Sequence, residues 1–518
     1  MINWSVRYSR ILNIESDLQN ENSSILEIGP GNMGLANFIN KRVTGVQPNF
    51  DQGHHPNLDP IIGSADDLPF ADDLFDYTLC IDVLEHLPLK LRGKALSEIL
   101  RVTKKNAWLT FPSGIFARST ELSFSESLSK LNVASPDWLL EHINNGIPEI
   151  ADILHLLDDM DCTIKIFVNE SLSEHFSGLF ADLLIPSFKF FLEQKSKKVN
   201  SLNPFISDPL DYPYSIGIKI SKKIDTSPEI SNSFNRPSFS HKHGVTIFLG
   251  SHVHIPSNVL LKTPNLIPIY LGDASNSARR SGLTTDILKN GSSLENKRWC
   301  ELSGIYKIWK ETPSTAYIGF CHYRRIFNFS LTQSALNNFD ENNNFAREQV
   351  IDSQDLDDIA ENINPKLSLF NGSIDIIIPP PVKIPNNIFT HYCAEHIADD
   401  MLEVISIIYN KHPSFKKITA NSTSENYLYC NNMFIMKADL FDNLCSFWFD
   451  ILFEFEHNNP HPKSLVNNQG RDIAFLSERI FDIWIKKMIN EGCKVHYTPI
   501  YNIAFSNILS EEWSPTKF

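Results

Sequence analysis

Two stretches of this chain place reactive residue types at spacings that chemistry can use. The first is Gly29-Pro30-Gly31-Asn32-Met33-Gly34, directly after the apolar run Ile25-Leu26-Glu27-Ile28 and before the periodic segment LANFINK. Strand, glycine-rich turn and helix in that order let a backbone approach a nucleotide-type ligand closely, because glycine keeps side chains out of the turn. Taken alone, an ordinary tight turn explains these glycines as well as a ligand does. The second stretch is His322-Tyr323-Arg324-Arg325, which ends the apolar strand candidate AYIGFCHYRRIF. In open α/β sheets ligands gather at the carboxyl ends of strands, and two guanidiniums there suit a diphosphate. The alternative is that one arginine pairs with an internal carboxylate, such as Glu301 or Glu478, and only shapes the fold.

Sheets must hold these residues in place. After the glycine turn, Val43-Thr44-Gly45-Val46 reads as a second strand. Tyr77 to Ile81 reads as a third and runs into Asp82-Val83-Leu84-Glu85-His86-Leu87. A helix over 90–103 and a strand over Ala107–Phe111 extend an alternating β/α series. Ile216, Ile218 and Ile220 alternate along a last strand. Residues 221–243, rich in Ser, Asn, Pro and Lys, then read as a connector. Thr246–Leu249 and Leu266–Leu271 open a new sheet, and Trp299, Leu302, Tyr306 and Trp309 fall at helical spacing as core residues. The fold class expected is α/β in two domains, 1–223 and 244–518, with a linker at 224–243.

Composition agrees. A chain of 518 residues exceeds what one hydrophobic core usually serves. Hydrophobic residues at 42% and charged residues at 21% suit a soluble globular protein. A net charge of −15 argues against a nucleic-acid partner, which needs clustered Lys and Arg. The eight cysteines form no CxxC pair, so no zinc knuckle is expected and the thiols read as reduced. The opening MINWSVRYSR has no signal-peptide character, and no apolar run reaches the length of a membrane span. A cytoplasmic protein is expected, at most peripheral at a membrane.

Residues 24–112 resemble a class I S-adenosylmethionine-dependent methyltransferase (type 11-like, the group named for its ubiquinone-biosynthesis members). ILEIGPG, the LPF…FD segment and DVLEHL carry the resemblance, in the family's order. It implies a Rossmann-like sheet with S-adenosylmethionine as cofactor. Glu27, Gly29 and Gly31 would face its methionine and ribose portions, and Ser64 and Ala65 would border the adenine. Asp82 and His86 would lie where the sulfonium meets the acceptor. Two positions depart from the family. Gln47 replaces the acid that grips both ribose hydroxyls, and Ser64 replaces the usual aspartate beside the adenine. Asn49 or Asp51 are candidates for a further ribose contact. The sulfonium is already activated, so placement and removal of the acceptor's proton are what remain to the protein. His86 and Glu85 are the candidate bases. The blander reading puts Glu85 on a helix surface and packs His86 near the cofactor. His142 and Asn145, in SPDWLLEHINNGIPEIADILHLL, either touch an acceptor or lie on a solvated helix face.

Most of 245–505 resembles DUF4422, a glycosyltransferase-like domain common in bacterial capsule and lipopolysaccharide loci. Its marks here are CEL…Y..W, YIG.CHYRR.F, DIIIP, NNMFIMK and F.L.ER.F..W. The resemblance implies a GT-A-like α/β domain with a nucleotide-sugar donor. No Asp-x-Asp stands where such enzymes hold a divalent cation; CHYRR occupies that place. His322, Arg324 and Arg325 are therefore expected on the donor diphosphate, with no metal ligands assigned and a metal elsewhere left open. Inverting transfer wants a general base; Glu478 is the first choice and Asp472 the second, with salt bridging as the alternative for both. Asn431 and Asn432 either bind sugar hydroxyls or form a turn. The function expected is a bifunctional enzyme of surface-polysaccharide assembly. It would transfer a sugar and a methyl group to a glycan or lipid-linked oligosaccharide acceptor. The alternatives are a glycosyltransferase carrying a degenerate methyltransferase scaffold, or a methyltransferase carrying a carbohydrate-binding domain.

Overall fold

The computed structural model describes residues 2–50, 53–130, 132–176, 210–222, 244–252, 266–275, 284–311, 315–330, 348–352 and 372–504. The chain forms two compact units, Met1–Ile230 with Phe389–Ser424, and Ser231–Ile388 with Glu425–Phe518. The linker expected at 224–243 lies outside the described residues.

The first unit is built on β1 (Ile25–Ile28), β2 (Val43–Gln47), β3 (Leu58–Ile62), β4 (Phe75–Ile81), β5 (Thr103–Pro112), β6 (Cys162–Ser171) and β7 (Pro213–Lys222). Their spatial order is β3-β2-β1-β4-β5-β7-β6. The first five run parallel, and β7 pairs antiparallel with both β5 and β6. Parallel strands covered on both faces read as continuous apolar runs, and all four residues of β1 are buried, Glu27 among them. The order reverses between β1 and β4, which opens a crevice at their carboxyl ends. Helices α1 (Ile2–Ile14), α2 (Leu89–Val102), α3 (Gly114–Lys130), α4 (Asp137–Asn145) and α5 (Ile150–Leu157) surround the sheet. Tyr8, Ile11 and Leu12 of α1 join Leu35, Val43, Tyr77, Leu79 and Trp108 in one buried cluster.

The expected continuous second domain, 244–518, is interrupted, because the segment 389–424 belongs to the first unit. The reason lies at the edge of the first sheet. Strand β6 is terminal, and its outward amides at alternate positions need acceptors. The helix Ala398–Lys411 supplies them from one face. Asp399 Oδ1 accepts from Val168 N at 2.7 Å, Ser406 Oγ from Ile166 N at 2.9 Å and Asn410 Oδ1 from Ile164 N at 2.9 Å. The Asn410 amide also donates to Ile164 O at 2.8 Å. Spacings of seven and four residues keep these three side chains on one helix face, while the strand partners advance by two.

The second unit carries β8 (Val245–Ser251), β9 (Leu266–Tyr270), β10 (Tyr317–His322), β11 (Arg325–Phe327), β12 (Glu348–Asp352), β13 (Ile376–Ile378), β14 (Val382–Lys383), β15 (Tyr427–Leu428), β16 (Phe434–Lys437), β17 (Val495–Tyr497) and β18 (Ile500–Ala504). A nine-stranded mixed sheet runs β12-β18-β11-β10-β16-β13-β17, with β8 pairing β10 and β9; β14 and β15 pair separately. The helices Ala438–Asn458 and Asp472–Asn490 pack on each other, with Trp448 and Phe481 stacked at 5.6 Å. The helical run expected from Trp299 to Trp309 is broken. Cys300 takes φ 45° and separates the turn Asn296–Trp299 from the helix Leu302–Lys310. The aromatics still reach one cluster through Phe449, which stacks on Trp299 and on Trp309.

Sealing by Asn410 is testable. Asn410→Ala strands the Ile164 amide and carbonyl, and a buried unpaired backbone group is worth about 1–3 kcal/mol. Thermal unfolding of the full chain should shift down measurably for Asn410→Ala and further for the Asp399→Ala/Asn410→Ala pair. Unchanged midpoints would show that the edge is not sealed by these side chains.

Candidate functional site

The carboxyl ends of β1, β2, β4 and β5 converge in the first unit. Gly29, Gly31 and Gly34 take φ values of 67°, 59° and 51°, a region that favours glycine. A Cβ at Gly29 would lie 2.6 Å from Val83 Cγ2, so the turn can come this close to the β4 loop only as glycine. Glu27 braces the turn from below. Its Oε1 accepts from the Tyr8 hydroxyl at 2.5 Å and its Oε2 from Leu35 N at 2.7 Å. Burial pushes the Glu27 carboxyl up to about 7, against the hydrogen bonds from Tyr8 and Leu35. Its visible role is to hold the loop, not to face a ligand.

Gln47, at the end of β2, uses its amide inside the protein. Oε1 accepts from Gly31 N at 2.9 Å and Nε2 donates to Asn49 O at 2.7 Å. Asp51 lies outside the described residues. Ser64 turns its hydroxyl to Asp66, whose carboxyl is held below the ordinary range chiefly by that bond, and Ala65 is buried beside it. Asp66 thus supplies an acid two residues from the position where the sequence lacks one. Asp82 takes φ 51° at the end of β4. Its Oδ1 accepts from Thr110 Oγ1 at 2.9 Å, and its Oδ2 pairs with Arg7 Nε at 2.9 Å. These placements fit S-adenosylmethionine at the glycine turn, while the ribose position offers only a neutral amide already engaged with the loop.

Beyond Asp82 the chain differs from both expectations for its neighbours. Glu85 is not on a helix surface; it is fully buried, and no hydrogen-bond donor reaches either carboxylate oxygen. His142 is not on a solvated face; it is 6% exposed, because α4 folds back over the 84–86 turn. Its Nδ1 lies 2.8 Å from Glu121 Oε1, and its Nε2 lies 3.2 Å from His86 Nε2. His86 Nδ1 meets Glu141 Oε2 at 2.6 Å. Burial, and the neighbouring His142, hold His86 below the ordinary imidazole range. The Asn145 amide donates to His86 O at 2.8 Å and fixes the turn. Glu85, His86 and His142 bring one ligand atom each within 4.8 Å of one another. Glu121, Tyr214, Glu170 and His175 continue this buried polar region, with the Tyr214 hydroxyl donating to Glu121 at 2.7 Å. The sequence does not reveal it, since its members come from elements far apart along the chain.

In the second unit, the antiparallel register Phe320↔Phe434 brings Asn431 beside His322. His322 Nε2 donates to Asn431 O at 2.9 Å, and burial holds the ring below its ordinary range. Asn431 and Asn432 form a left-handed turn, φ 78° and 48°, a conformation asparagine tolerates. Asn432 is fully buried, and its amide donates to Glu301 and to Ser477, both at 2.8 Å. It holds the turn and is not placed to bind a sugar. Glu478 keeps a half-buried carboxylate at this edge, accepting from Asn431 N at 3.0 Å and lying 3.2 Å from Arg479. Asp472 is corrected outright. It forms a buried two-point pair with Arg298, at 3.0 and 2.8 Å, so both oxygens are consumed and it cannot serve as a base. Neither Glu301 nor Glu478 is within ion-pair distance of Arg324 or Arg325 among the described residues, so the alternative of a carboxylate from these two is not what holds the arginines. Arg324 is exposed and Arg325 half-buried at this edge. His252, at the end of β8, and Arg471, whose Nε lies 3.1 Å from Cys300 Sγ, stand near the same edge and were not foreseen.

Two families match two stretches of the chain. Residues 26–111 match the family described as a methyltransferase domain, and residues 247–490 match a domain of unknown function, DUF4422. The chain therefore carries a methyltransferase domain, which places it among the enzymes. The apo structure of WbbM, a bifunctional glycosyltransferase, is similar at 24% identity and a TM-score of 0.42, over 52% of this chain and 47% of that one. The chain thus spans about half the length of that protein. The magnesium protoporphyrin IX methyltransferase of Synechocystis PCC 6803, with S-adenosylhomocysteine bound, is similar at 12% identity and a TM-score of 0.26, over 43% of this chain and 84% of that one. A methyltransferase-fold protein of Bacillus halodurans is similar at 18% identity and a TM-score of 0.24, over 41% and 99%. No curated protein matches the chain. No helix among the described residues is long and apolar enough to cross a membrane.

Glu27 gives this site a pH signature. Unfolded, it titrates near its ordinary 4.5; folded, at about 7. Between those values the folded state holds a proton that the unfolded state has lost, so stability falls as pH rises from about 4.5 to 7 and is level above. The full shift corresponds to about 3 kcal/mol. In Glu27→Gln, the fall across this window should flatten in urea titrations at pH 5, 6 and 7. An unaltered slope would show that Glu27 ionises normally in the fold.

Proposed function

We propose that the protein is a bifunctional transferase of surface-polysaccharide assembly in the bacterial cytoplasm. Its first unit methylates a glycan acceptor from S-adenosylmethionine, and its second transfers a sugar from a nucleotide-sugar donor. The observation that carries the methyl half is the convergence of the glycine turn, Asp82 and the His86–His142 pair at one sheet edge. S-adenosylmethionine supplies an activated methyl group when bound. Gly29 and Gly31 let the backbone approach it, Asp82 is held by Thr110 and Arg7, and His86 sits next along the chain with its Nδ1 proton fixed on Glu141. With no cation at this point, an imidazole so oriented presents Nε2 as the proton acceptor for an acceptor hydroxyl.

For the sugar half, the supporting feature is the sheet edge that carries His322, Arg324 and Arg325, where Asn431 links His322 to the half-buried Glu478. Guanidiniums offset the charge of a leaving diphosphate, and Glu478 takes the proton of the acceptor hydroxyl. A glycan or lipid-linked oligosaccharide fits as shared acceptor, because tethering two transfer sites raises the effective concentration of the first product at the second. The engaged amide of Gln47 favours a second reading, in which the first unit is a non-catalytic scaffold for the transferase.

Calorimetric titration with S-adenosylmethionine separates the two readings. The proposal expects saturable binding below millimolar ligand; no binding at millimolar ligand leaves only the scaffold. In parallel, a nucleotide-sugar panel should show slow donor hydrolysis that Arg325→Ala lowers at least tenfold. No turnover of any donor would turn the second unit into a carbohydrate-binding module.

A further inference from the structure

Carboxylates flank the two histidines in the first unit, and that fixes their protons. A carboxylate only accepts, so Glu121 holds a proton on His142 Nδ1 and Glu141 holds one on His86 Nδ1. Each neutral ring then presents a bare lone pair at Nε2. The two Nε2 atoms nevertheless face one another at 3.2 Å, with ring centroids 4.6 Å apart. Two lone pairs at that distance repel unless a positive charge lies between or beside them. The third member sharpens the demand. Glu85 is fully buried, and neither of its oxygens has a hydrogen-bond partner. Its Oε1 lies 4.0 Å from His142 Nε2. A buried carboxyl left in this way either stays neutral or takes a cation as its partner.

We propose that Glu85, His86 and His142 bind a divalent transition-metal ion of the zinc type. The spacing agrees with such an ion. Metal–nitrogen bonds of about 2.0–2.1 Å to two nitrogens 3.2 Å apart subtend about 100°, between the octahedral and tetrahedral angles. Glu85 reaches bonding distance by closing about an ångström, as atoms within 4.8 Å of one another allow. The supporting shell is the one metal-bound imidazoles use, each ring donating its other N–H to a carboxylate. Glu121 is in turn fixed by the Tyr214 hydroxyl at 2.7 Å. Three protein ligands leave at least one position open. His86 keeps 32% of its side chain exposed, so that position is reached from solvent.

The ion site stands on side-chain geometry alone. Its use rests on the methyl-transfer reading: an acceptor oxygen in the open position would be polarised beside Asp82, at the end of the crevice where the methyl group is delivered. His86 would then be a metal ligand, and the metal-bound acceptor oxygen would lose its proton to solvent.

The test uses the full chain, stripped of metal with dipicolinate and without S-adenosylmethionine, so its failure is separate from failure of the methyltransferase reading. Zn²⁺ is titrated by calorimetry and Co²⁺ by visible absorption. The wild type should take up one ion more than Glu85→Gln or His142→Ala, or bind that ion at least 100-fold more tightly. Glu121→Gln should weaken it about 10- to 100-fold, and the exposed control His155→Ala should match wild type. Saturating Zn²⁺ should raise the melting temperature of the wild type and not of Glu85→Gln. If His142→Ala does not fold, the near-isosteric Glu85→Gln decides the matter alone. The proposal is overturned if Glu85→Gln binds ions as the wild type does. It is equally overturned if the wild type takes up none at 100 µM Zn²⁺, which would leave a proton shared between the two rings.

Discussion

Strands β1 and β4 lie side by side, but the chain leaves them toward opposite halves of the sheet, to β2 on one side and β5 on the other. That divergence is the constraint on which the first unit depends. It opens a crevice no connecting segment fills, and it forces the residues after each strand into unusual backbone. Gly29 and Gly31 turn left-handed on one side and Asp82 on the other. Asp82 can hold that conformation because Thr110 on β5 and Arg7 on α1 bind its two oxygens. The next residues, 83–86, then swing Glu85 inward and His86 toward α4.

Buried acid recurs throughout this edge. Glu27, Glu85 and Glu121 are all shielded from water, and each is handled differently. Glu27 is satisfied by two donors and is pushed toward neutrality. Glu121 accepts at one oxygen from both His142 and Tyr214. Neither oxygen of Glu85 has a donor, and the same holds for Glu170 farther along this region. A buried carboxyl without donors stays neutral or takes a cation, and Glu85 is the one that stands beside the His86–His142 pair.

Much of the architecture was legible in the sequence because period and punctuation carry it. The apolar runs of β1 and β4, the glycines between β1 and β2, and the alternating isoleucines of β7 each announce an element locally. What the sequence hid depends on partners far along the chain. Helical periodicity over 137–145 gives an amphipathic segment, but which side is wet depends on where α4 docks, and His142 went inward. The acid in QGRDIAF stood as the second choice of base behind the one in LSERIF, yet Arg298, 174 residues away, consumes Asp472. Asn410, Ser406 and Asp399 are polar residues of the helix Ala398–Lys411. They became the seal of a strand more than 200 residues upstream, and no local pattern encodes that. Asp66, by contrast, was within reach: it stands two residues past Ser64 and takes its hydroxyl.

The central claim is that the β1–β4 crevice is a methyl-transfer site whose acceptor end is the Glu85–His86–His142 cluster. A crystal structure of the full chain grown with S-adenosylhomocysteine and Zn²⁺, with anomalous data at the zinc edge, tests it most directly. The account predicts the ligand's methionine portion against Gly29 and Gly31, its sulfur on the Asp82 side, and an anomalous peak bonded to His86 and His142 Nε2. A crevice without ligand at saturating concentration, or an anomalous peak absent from these nitrogens, would contradict it.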